Sequence, residues 1–388
     1  MSRVSLNFFC KNDFLTHLFY LIAFFPLLDY GISASLLGFF IVTNLFINGI
    51  RITSIWLFSA FFFYLCFISL LNSSFHETVG RLSSSFLLII APITISSIKF
   101  KTRSLRKFSR IYVGVIVFKS IICLVLISLN NNFVMGGEIP VLNIQVHGTY
   151  FSYEILCATL LVHYFIESKH KMILLVFLTI VIVLFQKKIA LIAIILFWTF
   201  HIKKNKRSYL LLLIPIVTLI LYFKTEHLEK IKRLINTSSK LNLVGEDRVR
   251  IKLLEAGWQN FIEAPYFGKG VVEHTLFFSE YNLNYLGNWA EHMNTHNYFL
   301  FVLCSGGLLA FFLFICPYFY FMIKTFKRCK VFFIFLLITL LINLTESLFD
   351  RYSGAITFVL FSFIFHHYYS KTIKTQQTCH LKNSPQKP

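Results

Sequence analysis

The residues that could do chemistry are concentrated in one polar stretch, from Lys224 to His296. It holds nine of the seventeen Asp and Glu residues of the chain, a basic segment around Arg250 and several histidines. An arginine can hold an anion with paired hydrogen bonds, and a neutral histidine can accept a proton near pH 7. The stretch is too polar to span a membrane, whereas apolar runs dominate the sequence on both sides. We therefore expect the chemistry to take place in this stretch.

The polar stretch is predicted to contain a helix from Arg248 to Glu263. Proline commonly follows a helix end, and Pro265 does so here. Gly268-Lys269-Gly270 then predicts a flexible turn. The basic residues of the helix are expected to face whatever the stretch covers. An apolar face is expected to rest on the membrane surface or on spanning helices, and it comprises Leu253, Leu254, Gly257, Trp258, Phe261 and Ile262.

The composition around this stretch is that of an integral membrane protein. Mean hydropathy is +0.69, 56% of the residues are apolar, and phenylalanine alone accounts for 47. The net charge of +20 does not indicate nucleic acid as a partner, because the basic residues form short clusters between apolar runs. Clusters of this kind are typical of loops on the cytoplasmic side of a membrane.

About twelve apolar runs are candidates for membrane-spanning helices. With the N-terminus inside, nearly every dense Lys and Arg cluster falls on the cytoplasmic face, and the polar stretch falls outside. The candidates are Phe14–Leu28, Ile32–Ile50, Thr53–Leu71, Leu82–Ile98, Ile111–Leu129, Thr149–Ile166, Met172–Phe185, Ile189–Ile202, Tyr209–Phe223, Asn297–Ile323, Val331–Thr345 and Gly354–Tyr369.

The spans divide the chain into four parts. Residues 1–223 hold about nine spanning helices, residues 224–296 form a large periplasmic loop, and residues 297–369 hold about three more helices. Residues 370–388 are polar with two prolines and are predicted to be a disordered cytoplasmic tail.

Neither a disulfide framework nor a metal site is expected. The eight cysteines all lie outside the polar stretch and are read as small buried apolar residues. His292 and His296 are four residues apart, which is the spacing of a zinc pair. The glutamate of a metalloprotease motif does not follow His292, and no third ligand is evident. We therefore predict no metal and no cofactor.

The polar stretch and the run after it form a recognisable series. An arginine, Arg250, begins the helix, a Pro-x-x-Gly-x-Gly turn from Pro265 to Gly270 follows, and His296-Asn297 precedes the glycine pair Gly306-Gly307 by ten residues. This series resembles the O-antigen ligase and O-antigen polymerase superfamily. The resemblance is specific over Gly245–Leu309 and elsewhere depends on the shared layout of spans.

The resemblance implies an all-α membrane protein of the GT-C type that acts as a metal-independent glycosyltransferase. Members move a glycan from an undecaprenyl-diphosphate carrier to an acceptor, at the outer face of the bacterial inner membrane. The implied partners are that lipid-linked donor, membrane lipid, and either lipid A-core oligosaccharide or a growing glycan as acceptor. No nucleic acid is involved.

The resemblance also implies roles for individual residues. Arg250 matches the loop arginine, which would meet the charge that grows on the diphosphate leaving group. His296 matches the loop histidine, which would take the proton of a sugar hydroxyl. Lys188 stands where relatives tend to carry an arginine, a departure because lysine lacks the bidentate fork. Ala310 is a second departure, where ligases often have Gly, Thr or Tyr.

Further residues are predicted to assist binding. Lys188 and Arg81 are secondary cations at the outer face, and Arg248 is part of the same basic segment. Asn297 could orient either His296 or the sugar, and Trp258 could stack on a sugar face.

Several alternatives stay open. A carboxylate, Glu346, Asp350 or Glu77, could serve as the base in place of His296, while His147 and His274 are expected to be structural. For function, a ligase that joins O-antigen to lipid A-core is favoured because the His-Asn and glycine pattern is clear. The alternative is a polymerase of O-antigen or capsular polysaccharide. A transporter of lipid-linked sugars is less favoured because no repeated halves are evident, and a sensor or scaffold fits weakly.

Overall fold

The computed structural model describes residues 13–49, 56–79, 82, 88, 100–129, 139–141, 144–185, 187–201, 215–217, 220, 246–287 and 295–383. The regular elements of these residues are helices, apart from one short antiparallel hairpin of β1 (Ile139–Val141) and β2 (Ile144–Val146), in which Pro140 lies opposite Gln145. The all-helical architecture expected from composition is therefore confirmed at this level.

The first group of helices comprises α1 (Asp13–Ile22), α2 (Tyr30–Asn48), α3 (Leu57–Asn72), α4 (Thr102–Leu129), α5 (Gly148–Phe165), α6 (Lys171–Leu184) and α7 (Lys188–His201). A 3₁₀ turn, Phe25–Leu27, separates α1 from α2, where Asp29 accepts a hydrogen bond from the Gly31 N–H and so caps α2. The predicted spans Leu82–Ile98 and Tyr209–Phe223 lie almost wholly outside the described residues.

The second group comprises α8 (Glu246–Glu263), α9 (Val271–Tyr285), α10 (Tyr298–Phe326), α11 (Lys330–Asn343), a 3₁₀ turn (Leu348–Asp350) and α12 (Tyr352–Asn383). Helix α8 agrees with the predicted loop helix, whereas α9 was not predicted. Helix α12 continues to Asn383, into the segment expected to lack structure from Ser370. Both prolines of that segment, Pro385 and Pro388, lie beyond its end, so no helix breaker stops it earlier.

Among the described residues, three helices are long and apolar enough to cross a membrane: Gly31–Asn48 in α2, Thr102–Leu126 in α4 and Tyr298–Phe326, which is α10. Shorter apolar helices, α1, α3, α6, α7 and α11, pack around them. The core is rich in phenylalanine: Phe58 stacks on Phe321 at 5.3 Å between ring centroids where α3 packs against α10. Close side-chain packing is the main force that can join helices within lipid.

Helix α10 folds back on itself at its glycine pair. Gly307 has a φ of +65°, which lies outside the helical region. The ring of Tyr298 lies 5.4 Å from the ring of Phe314, although sixteen residues of straight helix would separate them by about 24 Å. The segment before Gly306 therefore runs alongside the segment after Gly307. The N-terminal end of α10 is consequently sunk into the helical bundle.

Helices α8 and α9 form a hairpin whose connecting turn docks on this fold-back. The N–H of Leu308 donates to the carbonyl of Pro265 at 2.8 Å, and the N–H of Gly270 donates to that of Ser305 at 2.8 Å. The Tyr64 hydroxyl of α3 donates to the carbonyl of Phe267 at 3.0 Å. The turn that we expected to be flexible is thus bonded to two helices.

Glycine is required at this contact. Gly268 has a φ of +72°, and a Cβ there would lie 2.4 Å from the backbone nitrogen of Gly306. A Cβ on Gly307 would lie 2.4 Å from the carbonyl of Tyr266. Real Cβ atoms do not approach backbone so closely, so both positions need a residue without a side chain. The glycine pair thus allows the turn to pack closely on α10, and it also reverses α10.

Candidate functional site

A buried carboxylate, Glu346, joins three parts of the chain that are far apart in sequence. Its Oε2 lies 3.4 Å from Nδ1 of His296, at the start of α10. Its Oε1 accepts a hydrogen bond from the Thr149 hydroxyl, in the first turn of α5, at 3.3 Å. The Glu346 side chain is 11% exposed and the His296 side chain 32% exposed. The imidazole can therefore reach a substrate while the carboxylate behind it stays covered.

The backbone at His296 holds the imidazole in place. His296 has a φ of +47°, a left-handed conformation that costs about 1–2 kcal/mol for a residue with a side chain. The residues on both sides stabilise it. The Thr295 hydroxyl donates to the carbonyl of Asn297 at 2.8 Å, and Asn297 Oδ1 accepts from the N–H of Leu300 at 3.1 Å, which caps α10.

Charges around Glu346 keep it ionised. Burial raises the pKa of the Glu346 carboxyl, but the hydrogen bond from His296 and the positive charges of His296, His147 and Arg250 outweigh it. The pKa is lowered overall from its ordinary value. The carboxylate is thus the negative centre of a group of basic side chains.

An ionised carboxylate selects one tautomer of His296. A carboxylate can only accept hydrogen bonds, so Nδ1 of His296 must carry the proton that points toward Glu346. Nε2 is then the nitrogen with a lone pair, and this nitrogen can act as a base. Carboxylates that accept a hydrogen bond from a histidine fix its tautomer in this way in many sites.

Arg250 belongs to the same electrostatic group. It lies in the second turn of α8, its side chain is exposed, and its charge lowers the pKa of Glu346. The charge of Arg250 thus acts on the same carboxylate to which His296, the other residue predicted to be catalytic, is hydrogen-bonded. Arg248 lies in the first turn of α8, and its side chain is outside the described atoms.

Lys187, directly before α7, lies against Gly148 at the start of α5. A Cβ on Gly148 would be 2.7 Å from Cε of Lys187 and 3.6 Å from its Nζ. Gly148 directly precedes Thr149, which binds Glu346. The missing side chain at Gly148 makes room for the Lys187 ammonium beside this group. Lys188, the residue predicted from the sequence, is half-buried in the first turn of α7.

The remaining predicted residues lie elsewhere or have other contacts. The Asn297 side chain is engaged as the cap of α10. Trp258 is 54% exposed on α8, where its ring contacts Phe261 at 5.4 Å. Trp258 is two turns from Arg250 along the helix. Arg81 and His292 lie outside the described residues.

Sequence reasoning missed the partners of His296. The sequence offered Glu346 as an alternative base to His296. In the structure Glu346 is instead hydrogen-bonded to His296. His147 and Thr149 precede or begin α5, and no spacing in the sequence links them to residues near 296 or 346. The buried His274, expected to be structural, accepts a hydrogen bond from the buried Asn260 of α8 at 3.0 Å.

A comparison with known families matches one part of the chain. Residues 172–315 match the family described as O-antigen ligase. This segment of the chain is thus similar to that family. This confirms the resemblance indicated by the loop series, and the matched segment contains Arg250, His296 and both lysines. Glu346, His147 and Thr149 lie outside it, so three members of the site come from flanking sequence. No curated protein matches the chain.

Proposed function

We propose that the chain is an O-antigen ligase of the bacterial inner membrane. It transfers undecaprenyl-diphosphate-linked O-polysaccharide to lipid A-core oligosaccharide at the periplasmic face, without a metal. In this proposal about twelve helices span the membrane, and residues 224–296 form the catalytic flap on the outer side.

The proposed reaction exchanges one glycosidic bond for another. The bond between the anomeric carbon and the diphosphate oxygen breaks, and its electron pair leaves with the diphosphate. An acceptor hydroxyl forms the new bond to the anomeric carbon and gives its proton to Nε2 of His296. Arg250 offsets the negative charge that grows on the leaving diphosphate, and Lys187 adds a second cation. Glu346 stabilises the imidazolium that forms.

One observation carries this proposal. In a chain that matches the O-antigen ligase family over residues 172–315, a histidine is hydrogen-bonded to a buried carboxylate, and the charge of an arginine from another element acts on that carboxylate. A cation for the leaving group and a base for the nucleophile are the two groups that this reaction needs. The arrangement supports glycosyl transfer better than transport, which would need differential binding in two conformations.

Substitutions test the assignment. Purified Arg250→Ala and His296→Ala variants should each lose about 10²-fold or more in transfer from undecaprenyl-diphosphate-linked glycan. Gln259→Ala, an exposed polar residue on the same helix, is the matched control and should keep full activity. Expression and thermal unfolding in detergent must be equal among the variants. Full transfer by both site variants would refute the assignment.

Gene deletion separates ligase from polymerase. Loss of a ligase should leave lipid A-core without O-antigen and full-length chains on the carrier. Loss of a polymerase should leave core capped by a single repeat unit. Envelope polysaccharide on a gel distinguishes these patterns, and a transporter deletion with an intact flippase would show neither.

A further inference from the structure

Helix α8 has two apolar faces, and one of them is not covered by the chain. Leu253 and Ala256 are fully buried, and Gly257 packs on α10, where its carbonyl accepts from the Cys304 thiol at 3.0 Å. Three residues of the predicted apolar face are exposed, together with a fourth apolar residue. This exposed stripe, 41–57% accessible, consists of Ile251, Leu254, Trp258 and Ile262.

The stripe is continuous and has polar borders. At about 100° per residue its four members fall within an arc of about 80° on α8. Arg250 lies about 40° beyond Leu254 on one border. Glu255 and Gln259, both exposed, lie on the other. The stripe is therefore an apolar band that has a guanidinium at the end nearest Glu346.

The stripe lies beside an apolar helix. The second segment of α10, Leu308–Phe326, is roughly 28 Å long, which is about the thickness of a bilayer core. The end of α8 bonds to the start of that segment, where the carbonyls of Pro265 and Tyr266 accept from Leu308 and Leu309. From there α8 runs back beside the first segment of α10.

We propose that the exposed stripe of α8 is the docking surface for the polyprenyl chain of the donor. The inference rests on the proposed function, and it adds the position of the donor's polyprenyl chain. A chain laid along Ile262, Trp258 and Leu254 delivers its diphosphate to Arg250. From that position the anomeric carbon reaches His296. The helix thus binds both ends of the amphipathic donor, the isoprenoid by its apolar band and the diphosphate by its arginine.

Charge favours this occupant over bulk lipid or a second copy of the chain. At the end of the stripe nearest Glu346, the described part of α8 carries the cation Arg250. A cation there suits an anionic head group. A phospholipid held there would place its phosphate on the cation that the reaction needs. A protein partner would cover the approach of the donor.

Donor chain length gives the test. Transfer is measured with two donors that carry the same glycan diphosphate on either an undecaprenyl chain or a methyl group. The variant Leu254→Ser/Trp258→Ser/Ile262→Ser should raise KM for the undecaprenyl donor about tenfold or more. With the methyl donor, which has no chain to lie on the stripe, kcat and KM should stay within twofold of wild type. Glu255→Ala/Gln259→Ala, on the neighbouring border, is the control and should change neither.

The possible failures are distinguishable. Equal effects on both donors, or none on either, would overturn the docking surface. Failure of the proposed function would appear instead as full activity of Arg250→Ala and His296→Ala with both donors.

Cross-linking keeps the inference testable if the triple variant does not fold. A photoreactive benzophenone residue is placed at Trp258, or as control at Tyr285, which is exposed on α9. Illumination in vesicles with labelled undecaprenyl diphosphate should label the protein only from position 258. Capture of phospholipid alone, or of a second copy of the chain, would refute the proposal.

Discussion

Two buried carboxylates among the described residues each meet a basic side chain, and their surroundings differ. Glu154 of α5 accepts from Lys119 of α4 at 3.0 Å, and the two side chains are 3% and 5% exposed. Glu346 meets His296 at 3.4 Å, and there the basic partner is 32% exposed. Helix α5 contributes to both, through Glu154 directly and through Thr149 at Glu346.

Accessibility separates the two roles. The Lys119–Glu154 pair is closed by the bundle, and the Lys119 ammonium also lies 4.7 Å from the centre of the Phe151 ring. Such a pair can lock α4 to α5 but has no route to a substrate. The His296–Glu346 pair covers its carboxylate and leaves its imidazole accessible, which is what proton transfer requires. The same kind of contact is thus structural in one region and suited to catalysis in the other.

Breaking the buried Lys119–Glu154 pair should have the largest effect on stability. Glu154→Gln leaves the Lys119 ammonium buried without its counter-ion and should destabilise the protein by about 3–5 kcal/mol. Replacing both residues, Lys119→Met/Glu154→Met, should recover most of that loss because no charge stays buried. Thermal unfolding in detergent measures both. If the double variant were as unstable as Glu154→Gln, the Lys119–Glu154 pair would do more than join α4 to α5.

Breaking the accessible His296–Glu346 pair should instead lower the rate of transfer. Glu346→Gln keeps the shape of the side chain but removes the charge that selects the tautomer of His296 and stabilises its protonated form. Transfer should fall about 10- to 100-fold, chiefly in kcat, with unfolding little changed. Thr149→Ala, which removes the other hydrogen bond to Glu346, should cost less. A Glu346→Gln variant with normal kcat would show that the carboxylate does not support the histidine.

His274 tests what burial does to an ionisable group without a counter-ion. Burial, with a smaller effect from Lys269, lowers its pKa from 6.5 to about 3, so the folded hairpin holds it neutral. Its stabilising contribution is complete above pH 6.5 and declines as pH falls toward 3, by about 2 kcal/mol at pH 5. Thermal unfolding at pH 7.5 and 5 measures the decline. His274→Gln should lessen it, and an unchanged decline would exclude His274 as its source.

Substitution of Lys187 or Lys188 should give the smallest effect. Comparing the two variants shows which lysine belongs to the site around His296 and Glu346. Lys187→Ala should raise KM for the donor by about tenfold, since it removes one cation near the diphosphate. Lys188→Ala should change KM less than twofold. Steady-state kinetics of the two variants decide the order, and a larger effect at Lys188 would restore the assignment made from the sequence.

Most of the described helices could be predicted from the sequence, whereas their burial and mutual contacts could not. Apolar runs predicted most of the described helices, and the 3.6-residue period predicted α8 closely because a helix records its own periodicity in sequence. Helix α9 was missed because its aromatic and polar residues show no clear apolar face. The period did not decide which residues of the apolar face the chain itself covers, since it shows that a face is apolar but not whether protein or lipid covers it.

The sequence by itself determined the helical character and the loop helix, because composition and periodicity are local. The resemblance of the loop series to a known family also made Arg250 and His296 its candidate residues. Only the tertiary structure decided that α10 reverses at Gly306-Gly307 and sinks His296 beside Glu346. The fifty residues between that histidine and its carboxylate carry no periodic signal, because contacts between distant segments depend on how helices pack. For the same reason, only the fold distinguished Lys187 from Lys188.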